Sequence, residues 1–248
     1  MRKFGLVGYP LTHSWSKKYF QEKFINENIN DASYELYPIN SVENIFRLIF
    51  NDKSIVGLNV TIPYKEKIIP FLNEFSDEAK KTKAANTLKI EHYEDEVSIK
   101  AYNTDVFGFE ESIKDVLDSG LKNVLVLGTG GASKAVVHVL NKYGTDYTLV
   151  SRLKKNSKTI IYHELNPAVI SKFDMIVNTT PGGMYPNSGE KPQIPYHALG
   201  SDQILYDLVY NPEKSLFLKE GEKKGCKTFN GLKMLHLQAE KSWEIWNK

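Results

Sequence analysis

The sequence has one cysteine, Cys226, and no long apolar run. A single cysteine cannot form a disulfide within the chain, and Cys226 lies among lysines rather than among other metal ligands, so we expect a reducing, cytoplasmic compartment. No stretch approaches the ~18 apolar residues that indicate a membrane-spanning helix. Residues 1–8 lead into a strand-like run without a signal-peptide pattern, so neither secretion nor membrane association is expected.

The sequence also lacks an excess of charge of either sign. Its 32 basic and 30 acidic side chains leave a net charge of +2, so no overall field attracts nucleic acid or an acidic membrane, and we expect no nucleic-acid partner. The six histidines show no ligand spacing, so no metal is expected. Any basic binding site must therefore be local.

Strand-like and helical patterns alternate along the chain. With 248 residues it exceeds the usual single domain of about 100–200 residues, so two domains are predicted. The alternation favours βαβ units and a mostly parallel sheet, hence an α/β fold. The first runs are Phe4–Val7, Ser16–Ile29, Tyr34–Ile39, Val42–Phe50 and Ile55–Val60. We place the domains at 1–106 and 107–230, followed by an amphipathic helix, Leu232–Trp246, which the residue pattern alone assigns to neither domain.

Two further patterns refine this outline. Glu91–Lys100 reads as an antiparallel hairpin at a sheet edge, with a charged turn in its middle. A helix is predicted from Phe107 to about Ser119, with Gly120 as its cap. Later strands are predicted at Val124–Leu127, Tyr147–Val150, Met175–Val177 and Ile204–Tyr210.

A glycine-rich turn follows the apolar strand Val124–Leu127. It reads Gly128, Thr129, Gly130, Gly131, Ala132 and Ser133, and a helix-like run, Lys134–Tyr143, comes next. Glycines in such a turn let backbone amides approach a pyrophosphate at the helix N-terminus, so dinucleotide binding is predicted. The alternative is a glycine turn without a ligand.

The residues after the next strand, Tyr147–Val150, indicate which dinucleotide binds. NAD-binding domains usually carry a carboxylate here for the ribose hydroxyls, whereas this chain has Ser151, Arg152 and Lys154, followed by Lys155. A guanidinium beside a lysine suits a 2′-phosphate, so NADP is the predicted cofactor. The alternative is a solvated basic loop.

Four polar clusters of the first half lie beside apolar runs, at the predicted carboxyl ends of strands, where α/β folds bind ligands. They hold Ser14 and Ser16; Asn59, Thr61 and Lys65; Asn86; and Asp105. Each has a plainer interpretation: a serine or Asp105 that only caps a helix, and a lysine that only lies on the surface.

The ordered set of motifs resembles the shikimate dehydrogenase family along nearly the whole chain. The similar segments are His13–Ser16, Asn59–Glu66, Ala85–Leu88, Asn103–Asp105, Gly128–Ala132, Asp207–Pro212 and Gly231–Gln238.

The resemblance implies a role for each motif residue. Ser14 and Ser16, helped by Tyr210, would hold a substrate carboxylate, and Lys65 would be catalytic with Asp105 orienting it. The ring hydroxyls would be bound by Thr61, Asn86, Asp105 and Gln238, with Asn59 also in the substrate-binding set. Gly231 and Leu208 would border the nicotinamide, and Asn178 and Thr179 would lie along the dinucleotide. The final helix, with residues 231–248, would complete the first domain.

Two departures from the family pattern stand out. Lys17 replaces the proline that usually follows the two serines, which should alter only the helix start. Ser151, Arg152 and Leu153 replace an asparagine–arginine–threonine run, which removes a side chain near the adenosine phosphate and predicts a weaker preference for NADP.

The resemblance implies a two-domain enzyme that reversibly reduces 3-dehydroshikimate to shikimate with NADPH, in the biosynthesis of chorismate and the aromatic amino acids. The alternatives are a quinate/shikimate dehydrogenase that uses NAD, and a sensor that binds a dinucleotide without catalysis. A small-molecule substrate is the expected partner, and the chain is expected to be a monomer or homodimer.

Overall fold

The chain forms two compact units in the computed structural model, which describes residues 1–11, 14–94, 96–154 and 156–248. Unit 1 consists of Met1–Thr104 and Ala239–Lys248, and unit 2 is Asp105–Gln238. The contacts therefore divide the final helix, which was predicted to belong as a whole to the first domain: its residues through Gln238 are grouped with unit 2.

Unit 1 alternates strands and helices before it ends in a hairpin. Its strands are β1 (Arg2–Gly8), β2 (Ala32–Pro38), β3 (Ile55–Val60), β4 (Glu74–Phe75), β5 (Thr87–His92) and β6 (Val97–Tyr102). Its helices are α1 (Trp15–Asn26), α2 (Glu43–Asn51), α3 (Tyr64–Lys67) and α4 (Asp77–Thr82). Because α2 is amphipathic, it buries Ile45 and Ile49, one turn apart, against the sheet.

The unit 1 sheet has the strand order β2-β1-β3-β5-β6-β4 among the described residues. Its β1 pairs in parallel with β2 and β3, whereas β5 runs antiparallel to both β3 and β6. The predicted hairpin is therefore confirmed as β5 and β6, although the two-residue β4 lies outside it and forms the edge. The reversal matters for the site because β5 begins where β3 ends.

The end of the final helix, α10 (Leu232–Trp246), packs into unit 1. Trp246 is 5% exposed, stacks on Phe4 at a centroid distance of 4.9 Å and donates from Nε1 to the Leu88 carbonyl oxygen at 2.9 Å. A Cβ atom on Gly57 would lie 2.5 Å from Trp246 Nε1, so only glycine at that position of β3 admits the indole ring.

Unit 2 follows a regular alternation. Its strands are β7 (Asn123–Leu127), β8 (Asp146–Ser151), β9 (Thr159–Ile161), β10 (Met175–Asn178), β11 (Ile204–Asp207) and β12 (Lys227–Phe229). Its helices are α5 (Thr104–Ser112), α6 (Lys114–Asp118), α7 (Gly131–Lys142), α8 (Pro167–Ile170) and α9 (Leu216–Glu222). Helix α5 begins at Thr104, the last residue of the first segment of unit 1, and the part of α10 up to Gln238 also belongs to unit 2.

All strand pairs recorded in the unit 2 sheet are parallel, in the order β12-β11-β10-β7-β8-β9. This is the strand order of a dinucleotide-binding fold, in which the chain direction across the sheet reverses at the first strand. Val124–Leu127 of β7 are fully buried because helices cover both faces of such a sheet. The predicted α/β fold with a Rossmann-like unit is confirmed.

The structure differs from the predicted elements in several places. The helix expected from Phe107 to Ser119 begins at Thr104 and is interrupted at Ile113, so that α5 and α6 are separate. The strand expected at Ile204–Tyr210 ends at Asp207. The short strands β4, β9 and β12 were not predicted, because two or three residues are too few to show a periodicity.

Among the residues that the structure describes, no helix has both the length and the apolar composition that a membrane crossing requires.

Candidate active site

Three of the four predicted polar clusters lie in unit 1, where the segments that carry them meet one edge of its sheet. Val7 at the end of β1 pairs with Val60 at the end of β3, so the segments that follow both strands leave at the same edge. Since β5 is antiparallel, its first residue Thr87 pairs with Asn59, and the end of β6, Tyr102, pairs with Thr87. Asn86 therefore reaches this edge at the start of a strand, not at the carboxyl end where it was predicted.

Backbone hydrogen bonds fix the spacing of these segments. The Ala85 amide donates to the Lys65 carbonyl oxygen at 2.8 Å, and the Val60 amide donates to the Asn86 carbonyl oxygen at 2.8 Å. The Thr61 amide donates to the Val7 carbonyl oxygen at 2.9 Å. Lys65, Thr61 and Asn86 are thus held by main-chain contacts that side-chain substitution leaves intact.

Lys65 lies on the one-turn helix α3, directly after β3, and is half-buried. Thr61 is half-buried, and its carbonyl oxygen accepts from the Tyr64 amide at 2.8 Å, which starts this turn. Tyr64 is buried and donates from its hydroxyl to the Ile39 carbonyl oxygen at 2.6 Å. The buried tyrosine anchors α3, so the backbone of the neighbouring Lys65 has a fixed position at the edge of the sheet.

The Asn86 side chain is 3% exposed and is oriented by its neighbours. Its Oδ1 atom accepts from the Thr104 amide at 2.7 Å, and its Nδ2 atom donates to Thr104 Oγ1 at 2.9 Å. Because the backbone N–H of Thr104 can only donate, the atom facing it must be the Asn86 oxygen. The orientation of this predicted ring-hydroxyl ligand is therefore set by the start of α5.

Both the oxygen and the nitrogen of the Asn59 side-chain amide form hydrogen bonds within the protein. Its Oδ1 atom accepts from the Tyr34 hydroxyl at 2.8 Å, and its Nδ2 atom lies within 3.2 Å of the Asn86 carbonyl oxygen, Thr87 Oγ1 and Ser242 Oγ. An asparagine has only two N–H donors, so these three acceptors already exceed its capacity. Asn59, at 5% exposure, is held among its neighbours by these bonds, and its place in the substrate-binding set stays a prediction.

The two predicted carboxylate-binding serines lie at the start of α1. Ser14 occupies the N-cap position, but within the described part of the chain its hydroxyl makes no capping hydrogen bond, so the interpretation as a simple cap does not hold for it. Ser16 is half-buried in the first turn of α1. Lys17, which replaces a proline of the family pattern, forms an ion pair with Glu35 at 2.7 Å.

Asp105 and Gln238 belong to unit 2, where they lie on helices that pack closely. Asp105 is 5% exposed in the first turn of α5, and Gln238 is 8% exposed on α10. Gly108, three residues after Asp105 and thus on the same helix face, would place a Cβ atom 2.6 Å from the Met234 carbonyl oxygen and 3.1 Å from Gln238 Cβ. The missing side chain of Gly108 lets the two helices approach.

The predicted dinucleotide turn lies between β7 and α7, at the point where the strand order of unit 2 reverses. Gly128 has φ +111° and a Cβ atom there would lie 2.6 Å from Thr179 Oγ1, so glycine is required on both counts. Gly130 is the N-cap of α7 and has no side chain to cap it, while the space beside its Cα is open to 4 Å.

Uncapped amides at a helix start, next to open space, fit a pyrophosphate. Thr129 and Gly131 are half-buried in this turn, and so is Ala132. The turn therefore has the amides and the space that the pyrophosphate of a dinucleotide requires.

A buried carboxylate joins the loops after β10 and β11. Asp207 is fully buried, and its Oδ1 atom accepts from Asn178 Nδ2 at 2.9 Å and from the Val209 amide at 3.0 Å, while Ser215 donates to Oδ2. Burial raises the pKa of the Asp207 carboxyl to about 6, although the three hydrogen bonds act in the opposite direction.

Asn178 in turn accepts from the Thr180 amide at 3.0 Å, and the Thr179 amide donates to the Leu127 carbonyl oxygen at 2.9 Å. The loop after β10 is thereby held against the glycine turn.

The remaining predicted cofactor residues lie at the same carboxyl edge of the unit 2 sheet. Ser151 ends β8, and Arg152 and Lys154 follow it, exposed. A Cβ atom on Gly231 would lie 2.1 Å from the Leu208 carbonyl oxygen, so this glycine permits the close approach of two segments predicted to border the nicotinamide. Tyr210 is half-buried after β11.

Some predictions fall outside what the structure describes. His13 of the two-serine motif and Lys155 of the basic loop lie outside the described residues. Within the described residues, no group of three or more His, Cys, Asp or Glu side chains is arranged to hold a metal ion.

Sequence reasoning missed Tyr34, Ser242, Gly108 and the connecting role of Asp207. A carboxylate that ends an apolar strand, as Asp207 does, is a signal that could have been used. Ser242, a small polar residue on the apolar side of an amphipathic helix, is a weaker one. Tyr34 carries no local signal because tyrosine is common in strands.

Unit 2 has a parallel sheet with the strand order of a dinucleotide-binding fold, and unit 1 has a lysine among polar side chains. Together these features place the chain in the class of nucleotide-dependent α/β enzymes. The family model that matches residues 6–88 is described as the shikimate dehydrogenase substrate binding domain. A relative from Methanococcus vannielii, named shikimate dehydrogenase (NADP(+)), is 38% identical over 98% of this chain and 90% of its own length.

Two solved structures have similar folds. Shikimate dehydrogenase 1 from Peptoclostridium difficile has a TM-score of 0.86 and 38% identity, and the match covers all of this chain and 92% of that one. Shikimate 5-dehydrogenase from Thermus thermophilus, solved in complex with NADP(H) and shikimate, has a TM-score of 0.82 and 27% identity, covering 99% and 93% of the two chains. The chain belongs to the shikimate dehydrogenase family.

Proposed function

We propose that this chain catalyses the reversible reduction of 3-dehydroshikimate to shikimate with NADPH, a step in aromatic amino-acid biosynthesis. The near full-length likeness to relatives named shikimate dehydrogenase (NADP(+)) supports the reaction. The observation that carries the proposal is that Lys65 stands at the same sheet edge as Thr61 and Asn86, tied through its own backbone to Ala85. A proton donor thus lies among hydrogen-bonding groups suited to a polyhydroxylated ring.

The substrate carboxylate is assigned to Ser14 and Ser16, whose hydroxyls lie at the start of α1, where the helix dipole favours a negative charge. Thr61 and Asn86 are assigned to the ring hydroxyls, because their side chains accompany Lys65 at the edge of the sheet. Tyr210, Asp105 and Gln238 keep the substrate roles that the resemblance implies. Asn59 is assigned to hold Asn86 in place.

Reduction of a ketone places negative charge on the carbonyl oxygen, and that charge must be neutralised by a proton. Lys65 as an ammonium group stabilises the developing alkoxide and donates this proton. In the reverse direction the neutral amine accepts the proton of the hydroxyl group. We assign Asp105 to orient the ammonium group.

NADPH supplies the hydride when it is bound. The N-terminus of α7 and the glycine turn Gly128–Ala132 are assigned to its pyrophosphate, and Arg152, with Lys154, to the 2′-phosphate. Asn178 and Thr179 shape the loop beside the dinucleotide, and Leu208 with Gly231 border the nicotinamide.

We further propose a cytoplasmic location, small-molecule partners only, and a monomer or homodimer in solution. Sedimentation velocity of the purified protein over a range of concentrations distinguishes the two oligomeric states.

The direct test is an assay of the purified protein with shikimate or quinate, each with NADP⁺ or NAD⁺, followed by nicotinamide absorbance. Shikimate with NADP⁺ is expected to give the highest kcat/KM. A preference for quinate with NAD⁺ would replace this proposal by the quinate alternative, and no reaction in any combination, with dinucleotide binding retained, would favour a sensor.

A further inference from the structure

Asp207 ends β11 with a turn that its own side chain forms. Its Oδ1 atom accepts from the Val209 amide, two residues further along the chain, at 3.0 Å, which is the hydrogen bond of an Asx-turn. The Leu208 amide between them donates to the Asn178 carbonyl oxygen at 3.0 Å. The Asp207 side chain therefore sets the direction in which the backbone leaves β11, and with it the position of Leu208.

Two other segments of unit 2 meet the same carboxylate. The Asn178 side chain, at the end of β10, donates from Nδ2 to Asp207 Oδ1 at 2.9 Å, and Ser215, the N-cap of α9, donates from its hydroxyl to Oδ2. Asp207 and Asn178 are 0% exposed, and Ser215 is 1% exposed. A carboxylate has no donor and can accept all of these bonds, so it is the common acceptor of three segments.

The backbone beside Asp207 is also fixed from both sides. On one side Thr179, which follows β10, donates from its amide and its hydroxyl to the Leu127 carbonyl oxygen, at 2.9 and 2.7 Å. On the other side the Gly231 amide donates to the Val209 carbonyl oxygen at 3.2 Å, and a Cβ atom on Gly231 would lie 2.1 Å from the Leu208 carbonyl oxygen. Leu208 and Val209 are thus held between the loop after β10 and Gly231.

The strand order indicates which half of a dinucleotide meets this backbone. In a dinucleotide-binding sheet the pyrophosphate lies at the turn after the first strand, here β7, and the adenosine ribose at the end of the next strand, here β8. Strands β10 and β11 lie on the other side of β7 in the order β12-β11-β10-β7-β8-β9. The nicotinamide half is therefore assigned to their carboxyl ends, where Asp207 lies.

We propose that Asp207 is a positioning residue for the nicotinamide half of the dinucleotide, which acts by holding the backbone of Leu208 and Val209 at the carboxyl ends of β10 and β11. Asp207 acts through this backbone because it is fully buried and both its oxygens have donors. This inference rests on the proposed function, which assigns Leu208 and Gly231 to the border of the nicotinamide. Asp207 accordingly contributes to the affinity for the complete dinucleotide and not to that for its adenosine half.

The test compares the binding of NADP⁺ with that of adenosine 2′,5′-bisphosphate, which has the adenosine half and the 2′-phosphate but no nicotinamide. Isothermal titration calorimetry without substrate measures both dissociation constants independently of turnover. In Asp207→Ala the Kd for NADP⁺ is expected to rise about 5- to 30-fold, in line with loss of the buried hydrogen bonds, and that for the bisphosphate to stay within about twofold. An equal rise for both ligands, or an unchanged Kd for NADP⁺, overturns the proposal.

Asp207→Asn is the conservative variant that restores the position of the backbone. An asparagine keeps one oxygen that can accept from Asn178 and Val209, and it turns its N–H groups toward Ser215. Its Kd for NADP⁺ is therefore expected to lie within about threefold of the parental value. A loss in Asp207→Asn as large as that in Asp207→Ala would show that the hydrogen bonds on Oδ1 do not position the loop.

Gln203→Ala is the matched control for lost stability. Gln203 directly precedes β11 and is 8% exposed, and its side chain donates to the carbonyl oxygens of Ile170 and Phe173 and accepts from the Gly200 amide. The variant thus loses three hydrogen bonds at the amino end of the strand that Asp207 ends. It is expected to be less stable than the parent but to keep the parental Kd for NADP⁺, and a rise equal to that in Asp207→Ala would reduce the effect to general damage.

Asp207→Ser provides the same test if thermal unfolding shows that Asp207→Ala is not folded. A serine hydroxyl can still accept from the Val209 amide but is too short to reach Asn178, so a rise of about 2- to 5-fold in the Kd for NADP⁺ is expected. An unchanged Kd contradicts the proposal. A parent that binds NADP⁺ and reduces it with shikimate, with variants that bind as the parent does, refutes this inference alone. A parent that neither binds nor reduces NADP⁺ refutes the proposed function and the inference with it.

Discussion

The side-chain amide of Asn59 donates to the hydroxyl of Ser242 across 3.0 Å, although 183 residues separate them in the sequence. Asn59 is the last but one residue of β3, and Ser242 lies on the final helix. The contact brings the end of the chain into the polar edge where Lys65 and Asn86 lie. Helix α10 is consequently part of the support for this edge as well as of the hydrophobic core.

Substitution of Lys65 tests the proposed proton transfer. Lys65→Ala is expected to lower kcat by about 10²–10⁴, the contribution of a positioned acid or base, with a smaller change in the KM for shikimate. Lys67→Ala, on the exposed side of the same helix α3, is the control and should retain parental rates. A rise in KM with kcat preserved would instead make Lys65 a binding residue.

Arg152 is predicted to select the phosphorylated cofactor. Loss of its charge-assisted hydrogen bonds in Arg152→Ala, about 1.5–3 kcal/mol, should raise the KM for NADP⁺ about 10- to 100-fold and leave that for NAD⁺ nearly unchanged. Lys172→Ala removes an exposed charge before β10, at the other edge of the sheet, and should change neither. If the KM values for NADP⁺ and NAD⁺ rose equally, Arg152 would contact a group that the two dinucleotides share and not the 2′-phosphate.

The buried Asp207 carboxyl should produce a measurable pH dependence of stability. Its pKa in the folded protein is about 6 against an ordinary 3.8, so between these values the folded state binds more protons than the unfolded state. Linkage then requires the contribution of Asp207 to the free energy of unfolding to fall as the pH rises from 4 to 6, by on the order of 2–3 kcal/mol.

Urea unfolding of the parent and of Asp207→Asn at pH 5 and pH 7.5 isolates this effect. The free energy of unfolding of the parent, minus that of the variant, should be larger at pH 5 than at pH 7.5. Equal differences at the two pH values would show that the carboxyl group is ionised throughout this range.

Gly108 is expected to be intolerant of a side chain. In Gly108→Ala the new methyl group would lie 2.6 Å from the Met234 carbonyl oxygen, and separating α5 from α10 to relieve this should cost about 1–3 kcal/mol. The same substitution at Gly200, where a Cβ atom meets nothing within 4 Å, is the control. Chemical denaturation measures both, and equal stabilities would mean that the helices adjust without cost.

The local sequence determined much of this protein. Apolar alternation and the glycine turn specify the βαβ units, and the final helix has the predicted bounds, Leu232–Trp246, because its periodicity is long and regular. Lys65 and Thr61 could be proposed because the residues that follow a strand lie at its carboxyl edge. These features arise from backbone sterics and from neighbours a few residues apart, which any short window of sequence contains.

Only the tertiary structure decided how the polar edge is assembled. The antiparallel direction of β5 brings Asn86 to that edge from the start of a strand, and the Asn59 side chain on β3 takes hydrogen-bond partners from β2 and α10. Similarly, Gly108 matters only because α10 packs against α5. Such contacts join residues far apart in the chain, and their hydrogen bonds form only after hydrophobic burial has brought the elements together, so no local pattern of residues encodes them.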